Sequence, residues 1–398
     1  MKKLLKRVKR VDKIRSVISF FVMILILLVY IAGSELILDN GPSQETLNVS
    51  EFYAKLTFSD EEWQEAVRFR EDAASIGERA VPVPNTLIYR YKPAKTESFT
   101  LNSNGFRGEE VKPKEKGEFR IGIYGDSKIL GVYLADKNTI PVLVAENLKK
   151  VFPDRKITVY NLGVEGYDIR RAINYAEYTF QELKLDFIVF NSLLDDINYA
   201  MKQGNTELVP FREGEEFFQT LVLNAEDAKR LPFRERSLLL KVIDHAFKSD
   251  QVKFFTRRRE KKMFYHPLNE AQKKIADEFP QIYLSRLKRA SGYFSDNGLK
   301  TLFVFAPALQ TKHPLSRIEE EISFRNELEV PGVHDFFLAC FNGVRDTCVR
   351  EKPDVVLLDQ SRIFDGMDTC FFDGVHYTPE ASRISAKSIS DKIVEMIR

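Results

Sequence analysis

The feature that most constrains the fold of this chain is a series of short apolar, β-rich runs separated by helical or loop-like stretches. The runs begin at Phe119 and read FRIGIY, ITVYNLG, LDFIVFNS, LKTLFVFAP and DVVLLD. Strands that are apolar along their whole length are expected in a parallel sheet that helices cover on both faces. The alternation of strands and helices therefore predicts an α/β fold, with a doubly wound, mostly parallel sheet of about five strands.

The chain around these runs divides into further segments. Residues 34–116 are of mixed character, with a helix-like stretch around 60–74, and predict a stalk and a lead-in to a domain at 117–398. Within that domain, a polar insertion at about 199–289 is too long for an ordinary connection. We expect the insertion to form helices beside the active face.

The N-terminal region predicts a membrane anchor. Residues 1–16 are a basic tail whose charge of +7 leaves −5 for the rest of the chain, which argues against nucleic acid as a partner. Residues 17–33 carry no charge and are just long enough to span a bilayer as a helix. The positive-inside rule then predicts a single-pass cell-membrane protein with a cytoplasmic N-terminus and an extracytoplasmic domain. A signal peptide cleaved near Ala32 and Ser34 is the alternative, and it would also export the domain.

The cysteines indicate no metal site. Cys340, Cys348 and Cys370 fit no metal-binding spacing, and the sequence has neither a dinucleotide fingerprint nor a phosphate loop, so we infer no cofactor. The stretch FNGVRDT between Cys340 and Cys348 reads as a short loop, which would allow a disulfide outside the cytoplasm. Three reduced thiols are the alternative.

Candidate catalytic residues follow the strands, because ligands of open parallel sheets bind at the carboxyl ends of the strands. Ser127 follows the first strand where a helix can begin, so backbone N–H groups and the positive end of the helix could stabilise an oxyanion. Helix capping alone is the other interpretation of this GDS sequence. After the second strand, the glycines of NLGVEGYD allow the backbone to approach a bound group.

Two more candidates lie on a loop before the last predicted helix. Asp373 and His376 are three residues apart in DGVHYTPE. This spacing can hold a carboxylate against one imidazole nitrogen and leave the other nitrogen free to act as a base.

Together these blocks resemble the SGNH (GDSL-type) hydrolase family: GDS, the NxGxxGY pattern, a polar block after the third strand, and DGVHYTPE. The segment NSNGFRG before the first strand resembles the lead-in of membrane-anchored members. The resemblance implies a flavodoxin-like three-layer fold, with Ser127 as nucleophile, His376 as its base and Asp373 as the residue that orients the base. It also implies that the backbone N–H groups of Ser127 and Gly166 donate hydrogen bonds to the oxyanion.

One position departs from the family pattern. Asp195 stands where the family has an asparagine that serves as the third oxyanion donor. An ionised carboxylate accepts hydrogen bonds but cannot donate one. Either Asp195 is protonated, or Asn191 or Asn198 takes the role, or catalysis is weakened.

The resemblance implies a membrane-anchored, extracytoplasmic serine esterase. Its expected substrate is an acylated carbohydrate, with O-acetyl groups of envelope or exported glycans foremost, or another ester, and the reaction passes through an acyl-enzyme. An O-acyltransferase with the same triad is one alternative. A non-catalytic envelope-binding protein that retains the fold is another, and Asp195 favours it.

Overall fold

The computed structural model describes residues 49–75, 80–83, 88–204 and 265–398. None of the helices in these ranges is long and apolar enough to span a bilayer. The predicted basic tail, the predicted transmembrane helix and most of the predicted insertion lie outside the described residues. The membrane anchor and the domain boundaries therefore stay predictions.

The described residues of the lead-in form two helices and two small hairpins. The helices are α1 (Val49–Thr57) and α2 (Asp60–Ser75). The antiparallel hairpins pair β1 (Ala80–Pro82) with β2 (Tyr89–Tyr91), and β3 (Ala94–Lys95) with β4 (Thr100–Leu101).

A five-stranded parallel sheet forms the centre of the fold, with strand order β6-β5-β7-β8-β9. Its strands coincide with the five apolar runs, so the predicted α/β sheet is confirmed. The strands are β5 (Phe119–Gly125), β6 (Ile157–Gly163), β7 (Phe187–Ser192), β8 (Lys300–Phe305) and β9 (Leu357–Asp359).

Helices connect these strands and cover the sheet. α3 to α6 occupy Ser127–Leu130, Ile140–Val151, Ile169–Leu183 and Leu194–Gln203, and α7 to α10 occupy Glu270–Asp296, Arg317–Glu329, Val333–Glu351 and Pro379–Ile397. Part of α6 and part of α7 fall within the range predicted for a helical insertion.

The two faces of the sheet are packed differently because successive strand residues point to opposite sides. Ile123 faces a core that includes apolar residues of α4 and α10, where α4 contributes a stripe at every fourth position. Tyr124, the next residue, packs edge to face on Tyr175 of α5, with ring centroids 5.9 Å apart. Phe190 of β7 extends this aromatic layer to Phe294 of α7 at 5.8 Å.

The cysteines correct one expectation. FNGVRDT is not a loop, because it lies inside α9 together with Cys340 and Cys348. Eight residues along a helix span roughly 12 Å, which is too far for a disulfide. All three thiols are free and buried.

Candidate active site

Three side chains form a hydrogen-bonded chain at the carboxyl end of β5. The Oγ atom of Ser127 lies 2.9 Å from Nε2 of His376, and Nδ1 of His376 lies 2.7 Å from Oδ2 of Asp373. The structure thus brings together the three residues named as a triad from the sequence, although 249 positions separate Ser127 from His376. This arrangement allows His376 to take the hydroxyl proton while Asp373 orients the imidazole.

Ser127 is held by a very short helix. Asp126 caps the N-terminus of α3 by accepting the Lys128 N–H at 2.9 Å, and Gly131, with φ of 83°, ends the helix after one turn. Asp126 therefore caps the helix while the Ser127 side chain remains available to contact His376. One turn aligns few peptide dipoles, so the helix-dipole contribution expected from the sequence is small. Within the described part of the chain, the N–H of Ser127 has no hydrogen-bond partner.

A buried ion pair lies beside the serine. The ammonium group of Lys128 contacts the Asp126 carboxylate, and the side chains of both residues are almost completely excluded from solvent. Sequence reasoning missed this pair, although a lysine directly after Ser127 was a visible signal. A buried cation next to the triad disfavours protonation of neighbouring groups.

Local hydrogen bonds and ring stacking fix the positions of Asp373 and His376 in their loop. One oxygen of Asp373 accepts the backbone N–H groups of Val375 and His376 at 2.7 and 2.6 Å, which leaves the other oxygen for the imidazole. The Phe372 ring stacks on the His376 ring with centroids 5.9 Å apart. A Cβ atom on Gly374 would lie 2.4 Å from Nδ2 of Asn326, so a larger residue there would displace the Asn326 side chain.

The electrostatics of the loop favour an imidazolium–carboxylate pair. Burial opposes the charged form of His376, but the Asp373 carboxylate outweighs it and raises the pKa of His376 above its ordinary value. Burial likewise opposes the ionised form of Asp373, yet His376 and the backbone donors lower the pKa of that carboxyl. These interactions favour an ionised Asp373 and make His376 easier to protonate than a free imidazole.

The loop after β6 packs against the helix that carries Ser127 and against the end of β5. Gly163, at the end of β6, packs against α3 so closely that a Cβ atom would lie 2.2 Å from the Leu130 nitrogen. The Val164 N–H donates to the Gly125 carbonyl at 3.0 Å, which holds the loop against the end of β5. Gly166 then adopts φ of 70°, a conformation that favours glycine.

Asp195 lies in the first turn of α6, and its charge is coupled to the catalytic centre. Burial and then the Asp126 carboxylate raise the pKa of Asp195 to about 6, while Lys128 and His376 act in the opposite direction. At neutral pH, most molecules therefore have an ionised Asp195.

The two asparagines named as alternatives to Asp195 lie in different surroundings. Asn191, in β7, is 1% exposed, and neither of its amide atoms has a partner among the described residues. Asn198 is half-buried, one turn after Asp195 on α6. Both asparagines are neutral, so the electrostatics of the site do not show which side chain would donate to an oxyanion. The oxyanion role of Asp195 therefore stays a prediction.

Asp196 has a structural role that the sequence did not reveal. Its carboxylate accepts the backbone N–H groups of Leu193 at 3.2 Å and of Ile169 at 3.1 Å. Leu193 has φ of 95°, which is strained for a residue with a side chain. Asp196 therefore joins the start of α6 to the start of α5 and stabilises the turn before Asp195.

Arg107, from the lead-in, supports the turn that follows Ser127. Its buried guanidinium donates to the carbonyls of Leu130, Gly131 and Leu134 at 3.0, 2.7 and 2.8 Å, and to Asp136 at 2.6 Å. Arg107 lies in the segment NSNGFRG, and the sequence alone indicated no role for it. The segment NSNGFRG thus supplies hydrogen bonds that the turn after α3 cannot make internally.

Replacing Arg107 with lysine should lower the free energy of unfolding by about 1–3 kcal/mol, because one ammonium group cannot reach all of these acceptors. Chemical denaturation of the full-length protein measures the loss. Arg68→Lys, at an exposed site on α2, is the matched control and should stay within about 0.5 kcal/mol of wild type. Equal stabilities of the two variants would contradict this role for Arg107.

Comparisons with known proteins give distant likenesses in structure only. No family model matches the sequence, and no curated protein matches it significantly. A carbohydrate acetylesterase from Sinorhizobium meliloti has 12% identity and a TM-score of 0.36, over 70% of this chain and 100% of its own. A putative lipolytic protein of the G-D-S-L family from Desulfitobacterium hafniense has 9% identity and a TM-score of 0.35, over 68% and 98%.

Proposed function

We propose that this protein is a membrane-anchored, extracytoplasmic serine esterase that removes acyl groups, chiefly O-acetyl, from envelope or exported glycans. The observation that supports the reaction class is the hydrogen-bonded chain from Ser127 through His376 to Asp373. The substrate class rests on the resemblance of the sequence motifs to the SGNH family. The location rests on the basic tail and the uncharged run at 17–33.

In the proposed reaction, neutral His376 accepts the hydroxyl proton of Ser127 as Oγ attacks the ester carbonyl carbon. The N–H groups of Ser127 and Gly166 stabilise the oxyanion of the tetrahedral intermediate. His376 then returns the proton to the departing sugar oxygen, which leaves an acyl group on Ser127. A water molecule then gives a proton to His376 and attacks the acyl carbonyl carbon. His376 passes this proton to the departing Oγ of Ser127, which releases the carboxylic acid and restores the free hydroxyl.

A non-catalytic envelope-binding protein is the second candidate, and Asp195 is the observation that favours it. An ionised carboxylate near the oxyanion position would repel the developing negative charge instead of stabilising it. A triad geometry without turnover would be the outcome expected of such a protein.

Hydrolysis of p-nitrophenyl acetate by the full-length protein tests these functions, with Ser127→Ala as the control. Release of p-nitrophenol without any sugar supports the esterase. Release that requires an unacetylated oligosaccharide, which becomes acetylated, indicates an O-acyltransferase instead. No release by a folded protein favours the binding role. A C-terminal reporter that is active only in the cytoplasm would contradict the proposed location.

A further inference from the structure

The turn from Val164 to Tyr167 leaves one backbone donor unused. The Glu165 N–H donates to Oη of Tyr91 at 3.0 Å, and the Tyr167 N–H donates to the Val164 carbonyl at 3.1 Å. Between them, the N–H of Gly166 has no partner within the described residues. A single free N–H in an otherwise bonded turn is what a donor to substrate requires.

The carbonyl of that same peptide group is fixed from the lead-in. The hydroxyl of Tyr89, in β2, donates to the Glu165 carbonyl oxygen, which belongs to the peptide that carries the Gly166 N–H. Tyr89 is 1% exposed, and burial raises its pKa far above the ordinary value. The phenol therefore remains protonated and remains a donor at every pH at which the enzyme would work.

Tyr89 is itself held in place by the turn. Its backbone N–H donates to Oη of Tyr167 at 3.1 Å, and the Tyr167 hydroxyl donates back to the Tyr89 carbonyl. The two rings pack edge to face with centroids 5.0 Å apart. The phenol of Tyr89 therefore has little freedom to leave the Glu165 carbonyl.

A hydrogen bond to the carbonyl of a peptide group has two effects on its N–H. It polarises the group, so the N–H becomes a stronger donor. It also stops the peptide plane from rotating, which matters next to a glycine because glycine has a wide choice of backbone angles. On the other side, the Gly166 carbonyl accepts the Tyr199 hydroxyl at 3.0 Å, so the next peptide group is fixed as well.

We propose that Tyr89 is a positioning residue that orients and strengthens the Gly166 N–H as an oxyanion donor. This proposal rests on the proposed esterase function. Strand β2 of the lead-in would then contribute to the active site through Tyr89, which lies 38 positions before Ser127 in the chain.

The test compares full-length Tyr89→Phe with wild type. Loss of a whole oxyanion donor costs about 10²–10³ in rate, and weakening one should lower kcat about fivefold to twentyfold. KM should stay unchanged, because the oxyanion forms only in the transition state. The ratio of kcat for p-nitrophenyl acetate to kcat for its thiono analogue should also fall, since sulfur accepts hydrogen bonds poorly and gains less from the donor.

Two control variants separate positioning from stability. Tyr91 lies on the same strand as Tyr89, and its hydroxyl accepts the N–H of Glu165. Tyr91→Phe should lower the stability to a similar extent as Tyr89→Phe, without changing the oxygen-to-sulfur ratio of kcat. Tyr178→Phe alters an exposed ring on α5 and should behave as wild type.

The outcomes distinguish the two proposals. An unchanged kcat in Tyr89→Phe, or an equal change of the ratio in Tyr91→Phe, would overturn the positioning role while the esterase proposal stands. A folded wild-type protein that hydrolyses neither ester would overturn both. A drop in kcat and in the ratio that is specific to Tyr89→Phe supports the positioning role.

Discussion

Replacing Ser127 with alanine should lower kcat/KM for p-nitrophenyl acetate by at least about 10³-fold, because removal of a nucleophile from a serine triad leaves only the contribution of binding and oxyanion donors. Ser127 is 5% exposed, and its Oγ atom contacts His376, so the change removes one hydroxyl with little disturbance of packing. His376→Ala should have a similar effect. The double variant should be no worse than either single variant, since the two groups act as a unit.

Ser295→Ala is the matched control, because Ser295 is exposed at the end of α7. This variant should retain the wild-type rate. A loss of less than tenfold in Ser127→Ala would contradict nucleophilic attack by Ser127 and would indicate that water attacks the ester directly.

Asp195→Asn should increase ester hydrolysis at pH 8 by about 10- to 100-fold. With a pKa of about 6, only about one Asp195 in a hundred is protonated at that pH and able to donate to an oxyanion. Asparagine supplies a neutral donor of nearly the same shape at every pH, and one such donor is worth about 10²–10³ in rate.

The pH profile should change shape as well. If Asp195 donates to the oxyanion and His376 is the base, wild type needs a protonated Asp195 and a neutral His376 at the same time. The pKa of Asp195 is about 6, whereas the pKa of His376 lies above its ordinary value. Few molecules have Asp195 protonated and His376 neutral at once, so the wild-type rate should show a bell-shaped pH dependence with a low maximum. The Asp195→Asn rate should instead rise through the pKa of His376 and reach a plateau.

Asp195→Ala separates the two effects of the substitution, because alanine removes the negative charge without adding a donor. We expect Asn to exceed Ala in rate at pH 8. Equal rates in wild type and Asp195→Asn would show that Asp195 lies outside the oxyanion site. A large drop would show that the carboxylate itself has a catalytic or structural role.

The sequence allowed the sheet to be predicted because its five strands are short, apolar along their length and separated by polar stretches. The rule that ligands bind at the carboxyl ends of parallel strands drew attention to Ser127, and the spacing of Asp373 and His376 indicated an oriented base. The resemblance to the SGNH family is what joined the three residues into a triad. The contacts of Arg107 and Tyr89 could not be predicted, because each joins the lead-in to a loop far along the chain. Such contacts depend on tertiary placement and have no local signature.

The expected loop at FNGVRDT shows how packing overrides local preference. Asparagine and glycine are poor helix formers, yet the segment is helical because Phe341, Val344 and Cys348 recur at helical spacing and are buried. Gly343 has a packing role, since a Cβ atom there would lie 2.6 Å from Cγ of Pro280 in α7. Gly343 thus allows α9 to pack closely on α7.

The most direct test of the central claim is to trap the acyl group on Ser127. Full-length protein is mixed with p-nitrophenyl acetate, quenched in acid within the first turnovers, digested and examined by peptide mass spectrometry. We expect an acetyl group on the peptide that contains Ser127, no acetyl group on that peptide in Ser127→Ala, and much less of it in His376→Ala. Hydrolysis by wild type with no acyl group on Ser127, or with an acyl group on another residue, would contradict it.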